Sequence, residues 1–326
     1  MTTIGIDVSK CKLDCAWFRD VETGKLKNQV FMNSLKGYQQ LIDWACKQSH
    51  VPLESILFVM EATGIYHEAV AYALYQVGAK VSVVNPAQVR NYAKSLGTRT
   101  KTDKKDSVVL TRFGLTQAPR LWHPEPEAIR TLKALISRLN AIEKDIQREN
   151  NRLEKATIAL AGDEIITSIH TVLEHLEKER KRLEDLIDQH IDSNPKLKKD
   201  RALLESIPGV GPVVSRMMLA LIHSRDFKSA SQCAAFIGLV PTHYQSGTSV
   251  RGRAHLSKAG NAAIRAKLYM AAIVAKQHNP DIKKQYQRLL KNGKVKMSAL
   301  GAAMRKLVHI CFGVIKHQQP YQAQGV

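Results

Sequence analysis

Residues 55–64 read "SILFVMEATG", an uninterrupted apolar run that ends in the carboxylate of Glu61. Runs of this kind are typical of a central strand that is covered on both faces, because side chains of either orientation are then buried. A carboxylate at the end of such a strand is costly unless it has a partner. The stretch therefore predicts an α/β sheet with an acidic group where its central strand ends.

Strand and helix signals surround this run and predict a mixed α/β domain over residues 1–125. Three strands come first, Ser34 is placed to cap the helix that follows them, and helices alternate with strands after the central run. The predicted elements are strands at "TTIGIDVS" (2–9), "CKLDCAWFRD" (11–20), "KNQVFMN" (27–33) and "KVSVVNP" (80–86), and helices at 66–77, at 89–96 and from about 102.

Residues 126–200 predict two long helices that form a coiled-coil hairpin. Asn150 falls on the same seam as a polar position that could set the register, and Asp163 could cap the second helix. The alternative is a pair of ordinary amphipathic helices on a globular core. The apolar positions at helical spacing are Leu132, Leu135, Leu139, Ile142, Ile146 and Leu153, then Ile166, Ile169, Leu173, Leu176, Leu183 and Ile187.

Residues 201–326 predict a mainly α-helical domain. The turn "IPGVG" (207–211) separates two helices, and its Gly209 and Gly211 could meet a phosphate or simply form a tight turn. Further helices are predicted at "SASQCAAFIGLVP" (229–241), from Ser257, and around "ALGAAMRKLVHICFGVIK" (299–316). The polar loop "THYQSGTSVRGRAHL" (242–256) contains no acid.

The charge is strongly basic and unevenly distributed. The chain of 326 residues has 49 Lys and Arg against 29 Asp and Glu, a net charge of +20. Residues 1–125 hold 16 basic and 11 acidic residues, residues 126–200 hold 14 and 15, and residues 201–326 hold 19 and 3. This excess points to a polyanion, with nucleic acid the first candidate, and it concentrates the phosphate-binding surface in the last third.

The sequence also favours a cytoplasmic protein. Its first ten residues, "MTTIGIDVSK", lack the pattern of a signal peptide, and no apolar run approaches the roughly 18 residues of a membrane span. The five cysteines show no zinc-ligand spacing, so we expect reduced, half-buried packing residues. A nucleic-acid enzyme of this kind is expected at the nucleoid when it acts.

Four acids of the first third have the character of a metal site. Asp7 lies on the first strand and Glu61 ends the central strand, while Asp103 and Asp106 stand three apart on a helix start within "GTRTKTDKKDSVVL" (97–110). Hard oxygen ligands from several elements suit Mg²⁺, with Mn²⁺ a possible substitute, and two such ions can promote phosphoryl displacement. The alternative for Asp103 and Asp106 is a solvated helix start whose acids neutralise neighbouring cations.

The order of these acids resembles the RNase H fold, and within it the nuclease domain of Holliday-junction resolvases (RuvC-like). Together with the last third, the chain resembles the DEDD transposases of bacterial insertion sequences, which are described as RNA-guided, or bridge-RNA, recombinases. The motifs that carry the resemblance are "GIDVSK" (5–10), "EATG" (61–64), "VVNP" (83–86), "KTDKKD" (101–106), "IPGVG" (207–211), "AAFIGLVP" (234–241), "SGTSVRG" (246–252) and "SKAGN" (257–261).

The resemblance implies a RuvC-like domain, a coiled-coil hairpin and a helical transposase domain. It places the four acids on Asp7, Glu61, Asp103 and Asp106 and the nucleophilic serine on Ser246, and it implies donor and target duplex DNA and a non-coding guide RNA as partners. Self-association as a dimer or tetramer is expected because recombination cuts several strands together. The residues expected to contact nucleic acid are Arg99, Lys101, Lys104, Lys105, Gly209, Gly211, Arg251, Arg253 and Lys258.

Three functions compete on this sequence. The first is a recombinase that breaks and rejoins DNA through a phosphoserine intermediate, with metal from the first third and the nucleophile from the last. The second is a metal-dependent junction or RNA nuclease with water as nucleophile. The third is a non-catalytic nucleic-acid scaffold. A covalent adduct on Ser246 separates the first from the other two.

Overall fold

The computed structural model of the chain describes residues 2–62, 64–97, 103–242, 245–246, 250–251 and 255–323. Two compact units result, Met1–Pro124 and Glu125–Val326, and each is described by itself. The first is the N-terminal unit and the second the C-terminal unit.

The N-terminal unit is built on a five-stranded mixed sheet in the order β3-β2-β1-β4-β5. The first three strands are antiparallel to one another, and β4 and β5 run parallel to β1. This confirms the mixed α/β prediction. Its elements are β1 (Thr2–Val8), β2 (Lys12–Asp20), β3 (Lys25–Met32), α1 (Leu35–Ser49), a short 3₁₀ helix (Leu53–Ser55), β4 (Ile56–Glu61), α2 (Tyr66–Gln76), β5 (Lys80–Val84), α3 (Pro86–Ser95) and α4 (Asp103–Gln117).

The central strand β4 is covered on both faces, as its apolar run predicts. On one face Phe58 and Met60 belong to the core that includes residues of α1 and α2. On the other face Leu57 and Val59 pack with α4, in a cluster that includes Val109, Leu110 and Phe113. Glu61 ends the strand and is only partly buried, so the sheet carries its acid at the rim of a covered face.

Two helix starts show how local signals set the element bounds. Ser34 caps α1 as predicted, because its hydroxyl accepts a hydrogen bond from the Gly37 amide at 3.3 Å. The third helix begins at Pro86, three residues before the predicted Val89. Asn85 caps it by accepting from the Ala87 amide at 2.8 Å. An Asn followed by Pro at the first helical position was therefore the decisive signal.

The C-terminal unit is mainly helical, as predicted, and two long helices open it. Residues of these helices and of the later ones share one hydrophobic cluster, with Leu132, Leu139 and Ile187 among its buried members. The elements are α5 (Glu127–Ile158), α6 (Asp163–Asp192), α7 (Pro195–Glu205), α8 (Pro212–His223), α9 (Ala230–Ile237), β6 (Pro241–Thr242), β7 (Gln245–Ser246), β8 (Val250–Arg251), β9 (His255–Leu256), α10 (Ala262–His278), α11 (Pro280–Lys291) and α12 (Lys296–His317).

The two long helices, α5 and α6, pack against each other, but two predicted details of this hairpin are wrong. Asn150 is exposed, and its amide donates to the Ile146 carbonyl of the same helix at 3.0 Å, so it makes no register-setting contact on the seam. Gly162, not Asp163, holds the N-cap position of α6, without a side-chain cap. Asp163 lies in the first turn, where a carboxylate favours the helix dipole. The coiled-coil geometry and its 126–200 bounds stay predictions.

Two predictions in the last third also need correction, and one helix there was not predicted. The helix predicted from Ser257 begins at Ala262, because Asn261 caps it by accepting from the Ala263 amide. Helix α11 was not predicted, and Asn279 caps it directly after α10 ends. The loop at 242–256 contains short strand pairs, in which β6 pairs with β9 and β7 with β8.

Helix α12 is the one helix in the described part of the chain that is long and apolar enough to cross a membrane. About half of its apolar window, 56%, is buried inside the C-terminal unit. Its buried face includes Leu307, Val308 and Cys311, which belong to the core of this unit. The five cysteines are free thiols, as predicted, but only Cys46 is half-buried, since Cys15, Cys233 and Cys311 are buried and Cys11 is exposed.

Candidate active site

Sheet register brings Asp7 and Glu61 to neighbouring positions on one face. Strands β1 and β4 are parallel, with Ile6 opposite Met60, so the next residue of each strand is one of the two acids. Successive side chains alternate between faces, and Ile6 and Met60 point into the core beside α1 and α2. Asp7 and Glu61 therefore lie on the opposite face, which α4 covers, and both are partly buried.

Close packing at glycines seats α4 on this face. A Cβ atom on Gly5 would lie 2.2 Å from the Ser107 carbonyl oxygen and 2.4 Å from the Thr111 nitrogen. The Gly5 amide donates to the Thr111 hydroxyl at 3.0 Å, and that hydroxyl also lies 3.0 Å from the Ala16 carbonyl. Since only glycine leaves room for the helix backbone here, Gly5 fixes the height of α4 above β1.

The direction of α4 brings its acidic first turn toward Asp7. Late in α4, Gly114 lies over Thr3, near the start of β1. Earlier in α4, Ser107 and Thr111 lie at Gly5, further along β1. The start of α4 therefore lies toward the carboxyl end of β1. Beyond Gly5, β1 reaches Asp7. Before Ser107, α4 reaches its first turn, which contains Asp106. Asp106 is partly buried.

Several predicted residues lie at the limit of what the structure describes. Helix α4 begins at Asp103, but the side chains of Asp103 and Lys104 are outside the described residues, as are Arg99 and Lys101 altogether. Lys105 is exposed on the first turn of α4. Within the described part of the chain, no three His, Cys, Asp or Glu side chains stand close enough together to hold a metal ion.

The structure adds one carboxylate that the sequence analysis passed over. Asp14 on β2 stands directly opposite Asp7 on β1, so the two side chains share a face. The Asp14 side chain is 13% exposed and pairs with the Lys12 ammonium at 3.0 Å. Burial raises the pKa of the adjacent Cys15 thiol well above its ordinary value, and the Asp14 charge raises it further. The alternation in "CKLDCAWFRD" was the available signal, because Leu13 and Cys15 are core residues of the other face.

The residue types suit a divalent metal ion, but among the described residues no three of these side chains come close enough together to hold one. Asp7, Glu61, Asp14 and Asp106 supply only carboxylate oxygens, and β1, β2, β4 and α4 carry them at one covered face of the sheet. Carboxylate oxygens are the ligands that Mg²⁺ and Mn²⁺ accept most readily. Like charges directly opposite each other destabilise a sheet, and the Lys12 ammonium, 3.0 Å from Asp14, offsets part of the repulsion between Asp7 and Asp14.

Ser246 lies on a small β-hairpin of the C-terminal unit. It ends β7 opposite Val250 on β8, and Arg251 follows on the same strand. The side chains of Ser246 and Arg251 are outside the described residues, as is all of Arg253. At the base of the hairpin the Thr242 hydroxyl lies 2.7 Å from His255 Nδ1. Lys258 follows, exposed and with a φ of 54°.

The two glycines of the "IPGVG" turn have different surroundings. Gly209 has a φ of +97°, and a Cβ there would lie 2.7 Å from the Ala275 side chain, so close approach to α10 explains this glycine. Gly211 is the N-cap of α8 and has open space where a Cβ would stand. A phosphate role stays a prediction for both, and Gly211 has the more open position.

Two family models match this chain. A model described as "Transposase", of the DEDD, IS110 type, matches residues 4–157, and one described as "Transposase IS116/IS110/IS902 family" matches residues 201–287. A pilin gene-inverting protein of Moraxella bovis is 32% identical over 322 residues, covering 98% of this chain and 97% of that protein. The chain belongs to the IS110 family of transposases. These are DNA-cleaving recombination enzymes, so DNA is a partner of this protein.

Other relatives agree with this membership. An uncharacterised protein of insertion element IS110 from Streptomyces coelicolor is 25% identical over 177 residues, covering 53% of this chain and 42% of that protein. Thermus thermophilus RuvC in complex with a Holliday junction covers 37% of this chain with 14% identity and a TM-score of 0.26. With that low TM-score, the RuvC-like fold of the N-terminal unit stays a prediction, while its mixed five-stranded sheet is observed.

Proposed function

We propose that this IS110-family transposase cleaves and rejoins DNA through a covalent phosphoserine on Ser246, with Mg²⁺ held by Asp7, Glu61, Asp103 and Asp106. The observation that supports it best is the placement of Asp7, Glu61 and Asp106 on three elements at one α4-covered sheet face, within residues matched by the DEDD transposase model. The ions, when bound, screen the phosphate charge and stabilise the oxygens that attack and leave.

The strand-breaking step conserves bonds, so it needs no other reactant. The Ser246 oxygen forms a new ester bond to phosphorus while the bond from phosphorus to one deoxyribose oxygen breaks, and the hydroxyl proton passes to that leaving oxygen. Attack by the hydroxyl end of another strand reverses the step, rejoins DNA and restores the serine. The hairpin sequence has no acid to act as a base, so activation depends on the metal site.

Cations near both parts of this composite site position the DNA backbone. Arg251 and Arg253 contact the phosphate that Ser246 attacks, and Lys258 contacts a neighbouring one. Arg99, Lys101, Lys104 and Lys105 contact phosphates beside the carboxylates. Gly209 and Gly211 offer amides to phosphate at the "IPGVG" turn. Charge-assisted contacts of this kind position a strand without reading its sequence.

A guide RNA supplies sequence specificity in this proposal, which follows from the resemblance to RNA-guided recombinases. Base pairing, and not the protein, then selects donor and target DNA. Because several strands are cut together, the protein acts as a dimer or tetramer, in the cytoplasm at the nucleoid. Its relatives in Moraxella bovis and Moraxella lacunata are named for inverting a pilin gene. We extend DNA rearrangement between two sites to this chain.

The test traps the covalent intermediate on labelled DNA that carries the ends of the element, with guide RNA and Mg²⁺ present. Ser246→Ala is expected to form no denaturant-resistant adduct and no recombined product, while Ser249→Ala, the matched control from the same loop, retains both. Asp7→Asn and Glu61→Gln are expected to lose cleavage and the adduct while still binding DNA.

Each other result selects a different mechanism. Metal-dependent cutting that survives in Ser246→Ala, without an adduct, selects the nuclease that uses water. Full cleavage in Glu61→Gln rejects the carboxylate site. If mass spectrometry finds DNA on Ser249 or Tyr244, the nucleophile is misassigned. Restored activity in a mixture of Ser246→Ala and Asp103→Asn proteins means that two subunits share the composite site.

A further inference from the structure

Helix α11, which the sequence analysis did not predict, carries an outward face made almost entirely of cations. Its core side includes the buried Ile282 and the partly buried Tyr286. The residues on the opposite side are all exposed and extend over about 12 Å of helix axis. They are Lys283, Lys284, Gln287, Arg288 and Lys291, and Lys294 and Lys296 continue the series through the turn into α12.

The one acid of α11 is bonded to a tyrosine near the C-terminus. Asp281 lies in the first turn, and its carboxylate accepts a hydrogen bond from the Tyr321 hydroxyl at 2.7 Å. The same hydroxyl lies 3.0 Å from the Asn279 side-chain oxygen, so a residue near the C-terminus fixes the start of α11. Among the described residues, none of the six cations on this face lies within ion-pair distance of a carboxylate.

The hairpin of the same unit shows how exposed helical charge is arranged when it only keeps a surface solvated. There, exposed cations alternate with acids one turn away and pair with them, as in Arg148 with Asp145 at 2.7 Å and Lys181 with Asp185 at 2.9 Å. Such pairs neutralise each other locally. The face of α11 repels itself instead, which costs stability unless an anion binds there.

We propose that the face of α11, with the turn into α12, binds the phosphate backbone of duplex DNA. A row of cations at helical spacing, without interleaved acids, matches a regular row of phosphates. Single strands are usually held by exposed aromatic side chains, but Tyr286 packs on the core with the Lys276 ammonium 5.4 Å from its ring centre. DNA is chosen over RNA because the family recombines DNA. The inference rests on that activity and not on the metal or Ser246.

The test measures binding of the full-length protein, free of RNA and in EDTA, to a 30-bp duplex of arbitrary sequence across a salt series. The variant is Lys284→Gln with Arg288→Gln and Lys291→Gln, which lie along one line of α11. Loss of three phosphate contacts is expected to lower the slope of log affinity against log salt by about 2.7, and the affinity about a hundredfold at 0.1 M salt. The control is Arg148→Gln with Lys181→Gln and Lys198→Gln.

The control removes the same number and types of cation from positions that are exposed and in ion pairs. We expect it to change affinity less than threefold, and both variants to keep the parent melting temperature. Equal losses in the two variants, or an unchanged salt slope in the α11 variant, would overturn the proposal. A loss confined to duplex RNA or to single-stranded DNA, measured in parallel, would overturn the choice of duplex DNA. Because EDTA prevents catalysis, neither result bears on Ser246.

Discussion

The two units of this transposase position their polar groups by different physical means. In the N-terminal unit, strand register sets Asp7, Asp14 and Glu61 side by side, and close packing at Gly5 places α4 over them. In the C-terminal unit, buried polar contacts join helices, as where Asp200 accepts hydrogen bonds from His223 and Gln318. The candidate carboxylate site therefore depends on steric fit, and the basic helical unit on a polar network.

This difference predicts that the first unit is most sensitive to added volume. Gly5→Ala places a methyl group against backbone atoms of Ser107 and Thr111, which no side-chain rotation can relieve. We expect the N-terminal unit to lose about 3 kcal/mol of unfolding free energy, at the upper end for overpacking. Tryptophan fluorescence in a denaturant titration measures this unit alone, because Trp17, Trp44 and Trp122 all precede residue 125.

Gly114→Ala on α4 is the matched comparison. Its new Cβ would meet methyl groups of Thr3 and Val59, at 2.5 and 2.7 Å, which can shift more easily than backbone. Alanine also gains about 1 kcal/mol of helix propensity over glycine. We expect Gly114→Ala to lose less than half of the unfolding free energy that Gly5→Ala loses. Equal losses at the two positions would mean that contact with the α4 backbone does not govern the packing.

The sequence predicted most of the N-terminal unit because its signals are local. The run "SILFVMEATG" identified a doubly covered strand, and the side-chain cap at Ser34 located a helix start. Asp14 was missed because its importance comes from the partner strand. Which residue faces Asp7 depends on the β1–β2 register, and the sequence of one strand does not contain it.

The second unit is expected to respond most to loss of a buried charge. Asp200 is fully buried in α7, and burial alone raises its pKa. The hydrogen bonds from His223 and Gln318, with the charges of His223 and Lys196, outweigh that effect and lower the pKa below 3.8. Asp200→Asn should cost the C-terminal unit about 2 kcal/mol near neutral pH, because hydrogen bonds to a charged acceptor are lost.

The stabilisation by Asp200 is expected to depend on pH in a definite direction. A carboxylate whose folded pKa is lowered adds stability above its unfolded pKa, and the gain disappears as pH falls through the folded value. The difference in unfolding free energy between the parent protein and Asp200→Asn should therefore stay constant from pH 5 to 7 and decrease below about pH 4. Helical circular dichroism measures the transition, since most of the helix lies in this unit. The tryptophan transition should not move, and the exposed control Asp185→Asn should cost under 0.5 kcal/mol.

The helical unit was harder to predict from sequence because its boundaries depend on polar caps in unexpected places. Asn279 lies between α10 and α11, and its buried side chain is hydrogen-bonded to Ile282 and Tyr321. This one side chain separates α10 from α11, a helix that the residue pattern did not predict. The apolar positions of the hairpin seam were predicted from the sequence. The Asn150 side chain, however, donates a hydrogen bond to the Ile146 carbonyl of its own helix. A polar residue that satisfies itself within a helix leaves the same sequence pattern as one that reaches across.

The smallest expected effect concerns Asp14, and it asks whether strand register alone can add a group to the carboxylate site. Asp14→Asn keeps the shape of the side chain and the β1–β2 pairing but removes one of two opposed negative charges. We expect Mn²⁺ affinity, measured by electron paramagnetic resonance on the protein without nucleic acid, to fall about tenfold, which corresponds to 1.4 kcal/mol.

The control Asp20→Asn changes an acid of the same strand that is bonded to Thr23 in the turn, and it should leave Mn²⁺ affinity unchanged. Without metal, the unfolding free energy measured by tryptophan fluorescence should change little in Asp14→Asn, because the relieved repulsion from Asp7 offsets the loss of the half-exposed ion pair with Lys12. If Mn²⁺ affinity is unchanged while the unfolding free energy falls, then Asp14 serves to hold Lys12 and the site ends at the four acids of the family motif.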